Sequence, residues 1–306
     1  MPTNLPYKTR DIRNVICDST RWNDVVFRDD DIVIATVGKT GSTWTQQIVG
    51  NLVLGGADGL LARESPWIDH TVAPIERILA QVEAQTHRRF LKTHLPVDAL
   101  GIDPRVKYIY TARDARDAVW SMHHHARRFS AAAYAHYNDR PDRIGPPLVP
   151  PPEEPREFYH AFLKTGGMPL IAGGIAAWPF WEHIQGWWDL RHLPNVLLVH
   201  YANLKADTPR EMRRIARHLD ITIDEAAFPR MVEHCGFQYM QDAAAKVEFF
   251  DIFFEGGGRV FVNKGTNGRW KDVLTPEEIA AGDEEAAKRL TPACAHWLKT
   301  GELPSA

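Results

Sequence analysis

A chain of 306 residues with a net charge of −3 is long enough to bury a large core. It is too acidic overall to be a general nucleic-acid binder. The three cysteines, Cys17, Cys235 and Cys294, are odd in number and widely spaced, which suits a reducing compartment and not a disulfide scaffold.

The N-terminal stretch MPTNLPYKTRDIRNVI is polar and has no apolar signal core. The longest mostly apolar stretch, 168–181, is interrupted by Pro169 and Pro179 and is too short to span a bilayer. A soluble, cytoplasmic protein is expected, and residues 1–30 read as a polar lead-in.

The first regular element is a buried strand over 31–37, DIVIATV, rich in β-branched residues. It turns through Gly38-Lys39-Thr40-Gly41 into a helix over 43–54. Ser42 or Thr43 is placed to cap that helix, and Trp44, Ile48, Leu52 and Val53 recur at helical spacing. A strand, a glycine-containing turn and a helix N-terminus make an anion site, because free N–H groups and the positive end of the helix dipole point at one spot. Lys39, Ser42 and Thr43 add side-chain donors, so the loop is expected to hold a phosphate-like group. It is not a Walker A loop: the first glycine of that pattern would stand at position 33, which is Val33.

Further along, APIERILAQVEA reads as a helix. RFLKT is a short strand ending at His94-Leu95-Pro96, and KYIYTA is another, followed by Arg113 and a helix over 115–129. Strands alternating with helices imply an α/β fold, a central parallel sheet flanked by helices with right-handed crossovers, here one domain over 1–306. Ligands of such sheets sit at the carboxyl ends of the strands, where Lys39, Lys92 with His94, and Arg113 converge.

The Pro-rich stretch 138–155 excludes regular helix and reads as a surface loop, with a mobile lid as the alternative. WPFWEHIQGWWDLRHL is an amphipathic helix, and NVLLVHY is a fourth strand ending at Tyr201. A helix with a basic exposed face covers 208–219, and 243–269 reads as irregular.

Lys39-Thr40-Gly41-Ser42-Thr43-Trp44 resembles the 5′-phosphosulfate loop, K-S-G-T-T-W, of the cytosolic sulfotransferases. Four further stretches agree in the family's order. Lys92-Thr93-His94-Leu95-Pro96 matches K-T-H-L-P. YTARDARDAVWS resembles the 3′-phosphate motif, with Arg113 and Ser121 in its phosphate positions. VLLVHYANLKADTPREM resembles the segment around a cofactor-contacting tyrosine, here Tyr201. Lys264-Gly265-Thr266-Asn267-Gly268-Arg269-Trp270-Lys271 resembles the C-terminal R-K-G-x-x-G-x-W-K signature.

The resemblance, from about residue 31 to about residue 275, implies 3′-phosphoadenosine 5′-phosphosulfate (PAPS) as donor. It also implies in-line sulfuryl transfer, with no metal, to a hydroxyl or amine of a small acceptor. It implies that His94 is the general base, that Lys39 and Lys92 stabilise the departing phosphate, and that Ser121 restrains Lys39. Lys39–Thr43 would hold the 5′ end of the donor. Arg113, Ser121, Lys264 and Gly265 would hold the 3′-phosphate, and Trp44 and Phe237 would sandwich the adenine.

Two departures stand out. The family's R-K-G reads Asn263-Lys264-Gly265, which leaves Arg259 or Arg269 to replace an arginine. Its T-S-F reads Cys235-Gly236-Phe237. The C-terminal dimer motif keeps Lys271 and Thr275 but has Pro276 and Ala280 where valine and glutamate belong, so a monomer and a homodimer both stay open.

Trp67, Phe129, Tyr134, Trp178, Phe249, Phe250 and Phe253 are candidate walls of an apolar acceptor pocket. His123-His124-His125 does not form a metal set, because consecutive helical residues diverge by about 100°; one of them should border the acceptor. A P-loop kinase would need Mg²⁺ and the missing glycine, and a non-catalytic nucleotide-binding protein has no use for both Lys39 and His94.

Overall fold

The computed structural model describes residues 5–304. Four parallel strands form one sheet in the order β2-β1-β3-β4: β1 is Ile32–Ala35, β2 Phe90–Thr93, β3 Lys107–Ala112 and β4 Val196–His200. The register pairs Ala35 with Thr93 on one side and with Tyr110 on the other. The chain steps from β1 to β2 on one flank and returns to β3 on the other. The ends of β1 and β3 therefore diverge to opposite connections, the switch point at which open parallel sheets bind ligands.

Alternation along the strands decides which layer each side chain joins. Val33 and Ala35 of β1, Leu91 of β2, and Tyr108 and Tyr110 of β3 pack into one apolar cluster. Ile32 and Ile34, Phe90 and Ile109 pack into the other, against Ile48, Leu52, Met212, Ile215 and Phe228. Both faces are covered, which is why the strands read as near-continuous apolar runs. The Trp-rich helix Phe180–Asp189 closes the first face. Its Trp187 stacks on Tyr110 with ring centroids 5.2 Å apart and an interplanar angle of 9°.

The expected strands and helices around the sheet are present, with ends shifted by up to four residues; Tyr201 opens the helix Tyr201–Ala206 instead of closing β4. Two segments differ from expectation. Residues 5–30 are no polar lead-in, since Val15, Ile16, Cys17 and Trp22 are buried in the core around a 3-10 turn, Ser19–Asp24. Residues 243–269 hold two short helices, Glu248–Phe253 and Gly257–Phe261. They pack on each other through Phe250 and Phe261, whose rings stack at 4.1 Å. Neither segment shows a helical period long enough to read from sequence.

The stretch between Asp139 and Glu154 is non-helical, as its prolines require. It is nonetheless held down. Asn138 brackets Leu148 with two hydrogen bonds, Leu148 bridges to Ile171, and His123 Nε2 donates to the Pro152 carbonyl.

All three cysteines are buried thiols. Among the described residues no helix is long and apolar enough to cross a membrane. In the remnant of the dimer motif, Thr275 caps the helix Pro276–Arg289 through a capping box with Glu278.

Candidate active site

The loop after β1 is built on backbone strain. Lys39 has φ +69° and Gly41 φ +121°, both in the region side chains disfavour. A Cβ on Gly41 would lie 3.1 Å from the Tyr201 ring and 3.3 Å from Thr111 Cγ2, so the position needs glycine twice over. Thr40 holds the turn: its hydroxyl contacts the Val37 and Thr111 carbonyls, each at 2.8 Å. The helix runs Ser42–Val53, and its N-cap is Gly41, with no side-chain cap. Ser42 and Thr43 thus stand in the first turn and do not cap it. The first N–H groups of a 12-residue helix are left for an anion.

A cavity of about 470 Å³ opens in front of this loop. Lys39, Gly41, Ser42, Thr43 and Trp44 line it together with Arg113, Ser121, Lys264, Gly265 and Arg269, and Tyr201, Cys235, Phe237 and Asn263 complete the wall. Thr40, fully buried, stands behind the loop. The remaining expected donor-site residues are therefore brought together.

Trp44 is fixed by its indole N–H, which donates to the Cys235 carbonyl at 2.9 Å, and by an edge contact with Tyr201. Phe237 is 43% exposed at the mouth. Gly265, at φ +61°, brings the backbone against that ring: a Cβ there would come 2.9 Å from Phe237 Cδ2. Cys235 is buried and its thiol is pushed up to about 12, so it packs and does not react. Tyr201 is mostly buried beneath the Arg113 guanidinium, 4.2 Å from the ring centroid.

The cations outnumber their partners. Arg113 donates to Asn267 Oδ1 and the Thr266 carbonyl, which ties the 263–269 loop to the end of β3. Asp117 anchors the same loop by accepting from Gly268 N–H at 2.7 Å. Arg269 has no ion-pair partner among the described residues, whereas Arg259 is engaged with Asp242 at 2.9 Å and lies outside the cavity lining. His124 lines the cavity, and its buried Nε2 lacks a partner. Burial, then the charge of Arg269, pushes its pKa to about 4. An uncompensated set of donors of this kind is complementary to a polyanion.

Lys39 Nζ donates to His125 Nδ1 at 3.3 Å. Ser121, one helical turn earlier, lines the same cavity and makes no hydrogen bond to Lys39. Burial, with Lys92, Arg113 and Arg269 adding repulsion, lowers Lys39 to about 7. The three histidines point to three places: His123 to Pro152, His124 into the cavity, His125 to Lys39 among Phe129, Phe254 and Phe261. Among the described residues no group of three His, Cys, Asp or Glu side chains is arranged to hold a metal.

His94 stands at the end of β2, outside the lining of the open cavity and only 4% exposed. Its Nδ1 lies 2.6 Å from the Thr36 carbonyl, an acceptor only, and 3.0 Å from the Thr36 hydroxyl; the shorter contact puts the proton on Nδ1 and leaves the lone pair on Nε2. Burial and the nearby Lys92 hold its pKa well below 6.5. Its own carbonyl accepts from His183 Nε2 at 3.2 Å, and Tyr110 orients that imidazole from the far side.

Trp67 and Trp178 cover His94, with ring centroids at 4.5 and 5.4 Å. Phe129, Phe250 and Phe253 join an aromatic cluster with Phe254 and Phe261, which the sequence reading missed. Phe249 stacks on Phe253 yet stays 46% exposed, and the Tyr134 hydroxyl is spent on the Ala126 carbonyl. Thr36 and Asp69, which contact His94, were also missed: Thr36 meets it through both carbonyl and hydroxyl from just beyond the end of β1, and Asp69 lies outside any motif.

The chain as a whole has relatives. The family model described as "Sulfotransferase domain" matches residues 29–291. A glycolipid sulfotransferase of Mycobacterium bovis is 33% identical over 290 residues, covering 87% of this chain and 86% of its own. Mouse sulfotransferase SULT7A1, solved in complex with PAP, superposes with a TM-score of 0.68 at 21% identity, covering 92% of each chain. Retinol dehydratase, solved with androsterone and the inactive cofactor PAP, gives 0.67 at 22%, covering 90% of this chain and 87% of its own. The extent of the family match and the identity to the mycobacterial enzyme place the chain in the sulfotransferase family.

Proposed function

We propose that the enzyme transfers a sulfuryl group from PAPS to a hydroxyl of a small, largely apolar acceptor. The observation that carries this reading is one cavity lined both by the anion loop and by a second set of cationic and hydroxyl side chains. The uncapped helix Ser42–Val53 meets Lys39, and Arg113, Ser121 and the unpaired Arg269 line the same cavity. PAPS is anionic at both ends, and between them Trp44 and Phe237 offer faces for an adenine. Arg269, and not Arg259, takes the place left by Asn263.

PAPS supplies the activated sulfur–oxygen bond; the chain supplies proton transfer and charge stabilisation. His94 Nε2 takes the acceptor's hydroxyl proton as that oxygen bonds to sulfur. Lys39, Lys92 and the helix N–H groups take up the charge that builds on the 5′-phosphate oxygen as the sulfur–oxygen bond breaks. The acceptor enters beside Trp67 and Trp178, so rings must shift to admit it. An apolar acceptor suits these walls, and the glycolipid activity of the mycobacterial relative adds amphipathic alcohols to the class.

The test is direct. Purified protein with labelled PAPS and a panel of phenols, alcohols, amines and glycolipids should transfer label with and without chelator. Transfer from ATP that chelator abolishes would sink the reading.

A finer prediction concerns Arg269. Arg269→Gln removes a charged hydrogen bond worth about 1.5–3 kcal/mol. Calorimetry should show 3′,5′-bisphosphate nucleotide binding roughly tenfold weaker or more. A nucleotide lacking the 3′-phosphate should bind about as before.

A further inference from the structure

Asp69 is a fully buried carboxylate with no cation within ion-pair distance among the described residues. Isolated buried charges are costly and persist only when several donors satisfy them. Three do so here. Trp22 Nε1 donates to Oδ1 at 3.1 Å, Trp67 Nε1 donates to Oδ2 at 2.8 Å, and the backbone N–H of His94 donates to Oδ2 at 3.2 Å. One side chain thus joins the N-terminal segment, the loop before the helix Ile75–Glu83, and the end of β2.

Trp67 is the element this carboxylate controls. Lys92 Nζ lies 4.2 Å from the centroid of its ring. His70 stacks on it at 4.0 Å, nearly parallel, and the His94 imidazole meets it edge-on at 4.5 Å. The indole plane is therefore a shelf against which both expected catalytic groups of β2 rest, and the bond from its N–H to Asp69 sets the plane. The same carboxylate oxygen holds the backbone of His94, while the Thr36 carbonyl holds its Nδ1–H.

We infer that Asp69 is a positioning residue for sulfuryl transfer, fixing Trp67 and the His94 backbone so that His94 Nε2 and Lys92 Nζ face the acceptor oxygen together. This rests on the reading of His94 and Lys92 given above. Asp69 touches neither the donor cavity nor the reacting atoms. Its negative charge also opposes the loss of the Lys92 proton, since burial alone drives that ammonium down.

The experiment compares Asp69→Asn, nearly isosteric, with Trp67→Phe, which keeps a ring and removes the indole N–H. Both should leave the affinity for the product nucleotide within twofold of wild type, because no donor-cavity residue is disturbed. Asp69→Asn should lower kcat ten- to a hundredfold and Trp67→Phe by a smaller factor. The double variant should be little worse than Asp69→Asn, because both break one link. In ¹⁵N spectra of the imidazoles, the His94 Nδ1 and Nε2 signals should broaden or shift in Asp69→Asn.

Unchanged kcat in both variants overturns the inference, and so does a fall in nucleotide affinity that parallels the fall in kcat. Should Asp69→Asn fail to fold, Trp67→Phe decides: normal turnover overturns the inference, and a selective loss of kcat with intact nucleotide binding supports it. A wild-type protein with no sulfuryl transfer would overturn the functional reading instead, while the His94 spectra would still report whether Asp69 holds the ring.

Discussion

His94→Ala should bind the product nucleotide normally and lose turnover by about two to four orders of magnitude, the range that a positioned general base contributes. The two halves of this result come from different parts of the structure. His94 stands outside the lining of the donor cavity, so its removal leaves Lys39, Arg113 and Arg269 in place. Its lone pair is directed by the Nδ1–H bond to Thr36, which an alanine cannot supply. The low pKa matters as well. Because the folded-state pKa lies well below 6.5, the imidazole is neutral across the near-neutral range, and the base-dependent limb of the rate should lie on the acid side of 6.5.

The same shift makes a stability statement. A buried neutral histidine contributes fully above its unfolded pKa of about 6.5, and stability falls as pH drops below that value, because the unfolded chain binds the proton first. His94→Ala should therefore lose less stability on acidification than wild type, by denaturant midpoint at pH 5.5 and 7.5. Equal rates in variant and wild type would remove His94 from the chemistry.

The sheet and the anion loop were readable because their signals are local. A β-branched run, a Gly-Lys-Thr-Gly turn and an i, i+4 helix fit within 22 residues, and the five motifs sit where backbone geometry recurs. What could not be read depends on contacts between distant segments. Asp69 and His94 are 25 positions apart, and that Arg259 pairs with Asp242 while Arg269 has no ion-pair partner among the described residues shows only in three dimensions. Ser121 and His125 share a helix face, and only three-dimensional packing shows that the imidazole, and not the hydroxyl, meets Lys39. Residues 5–30 look polar in sequence because their few apolar residues are spaced irregularly, yet Val15, Ile16, Cys17, Trp22 and Val25 among them are buried.

Lys39→Met should lower kcat by about 3–4 kcal/mol of transition-state stabilisation, some two to three orders of magnitude. Unlike His94→Ala, it should also weaken nucleotide binding, because Lys39 lines the donor cavity. The ligand-free ammonium is held down to about 7, first by burial and then by Lys92, Arg113 and Arg269. A bound phosphate opposes those effects and raises the pKa, so binding takes up a proton. Nucleotide affinity of the wild type should therefore fall as pH rises through 7 to 8. Heats measured in buffers of different ionisation enthalpy should reveal the proton.

Folding carries the opposite sign. Between about 7 and the unfolded value of 10.5 the unfolded chain holds a proton on Lys39 that the folded chain lacks, so stability without ligand should rise with pH across that window. Methionine fills similar space without a charge to bury. The variant should thus be at least as stable as wild type at pH 7 by thermal denaturation, while almost inactive. A variant that loses both stability and turnover would show Lys39 to be structural, and one that keeps its turnover would leave the developing phosphate charge to Lys92 and the helix Ser42–Val53 alone.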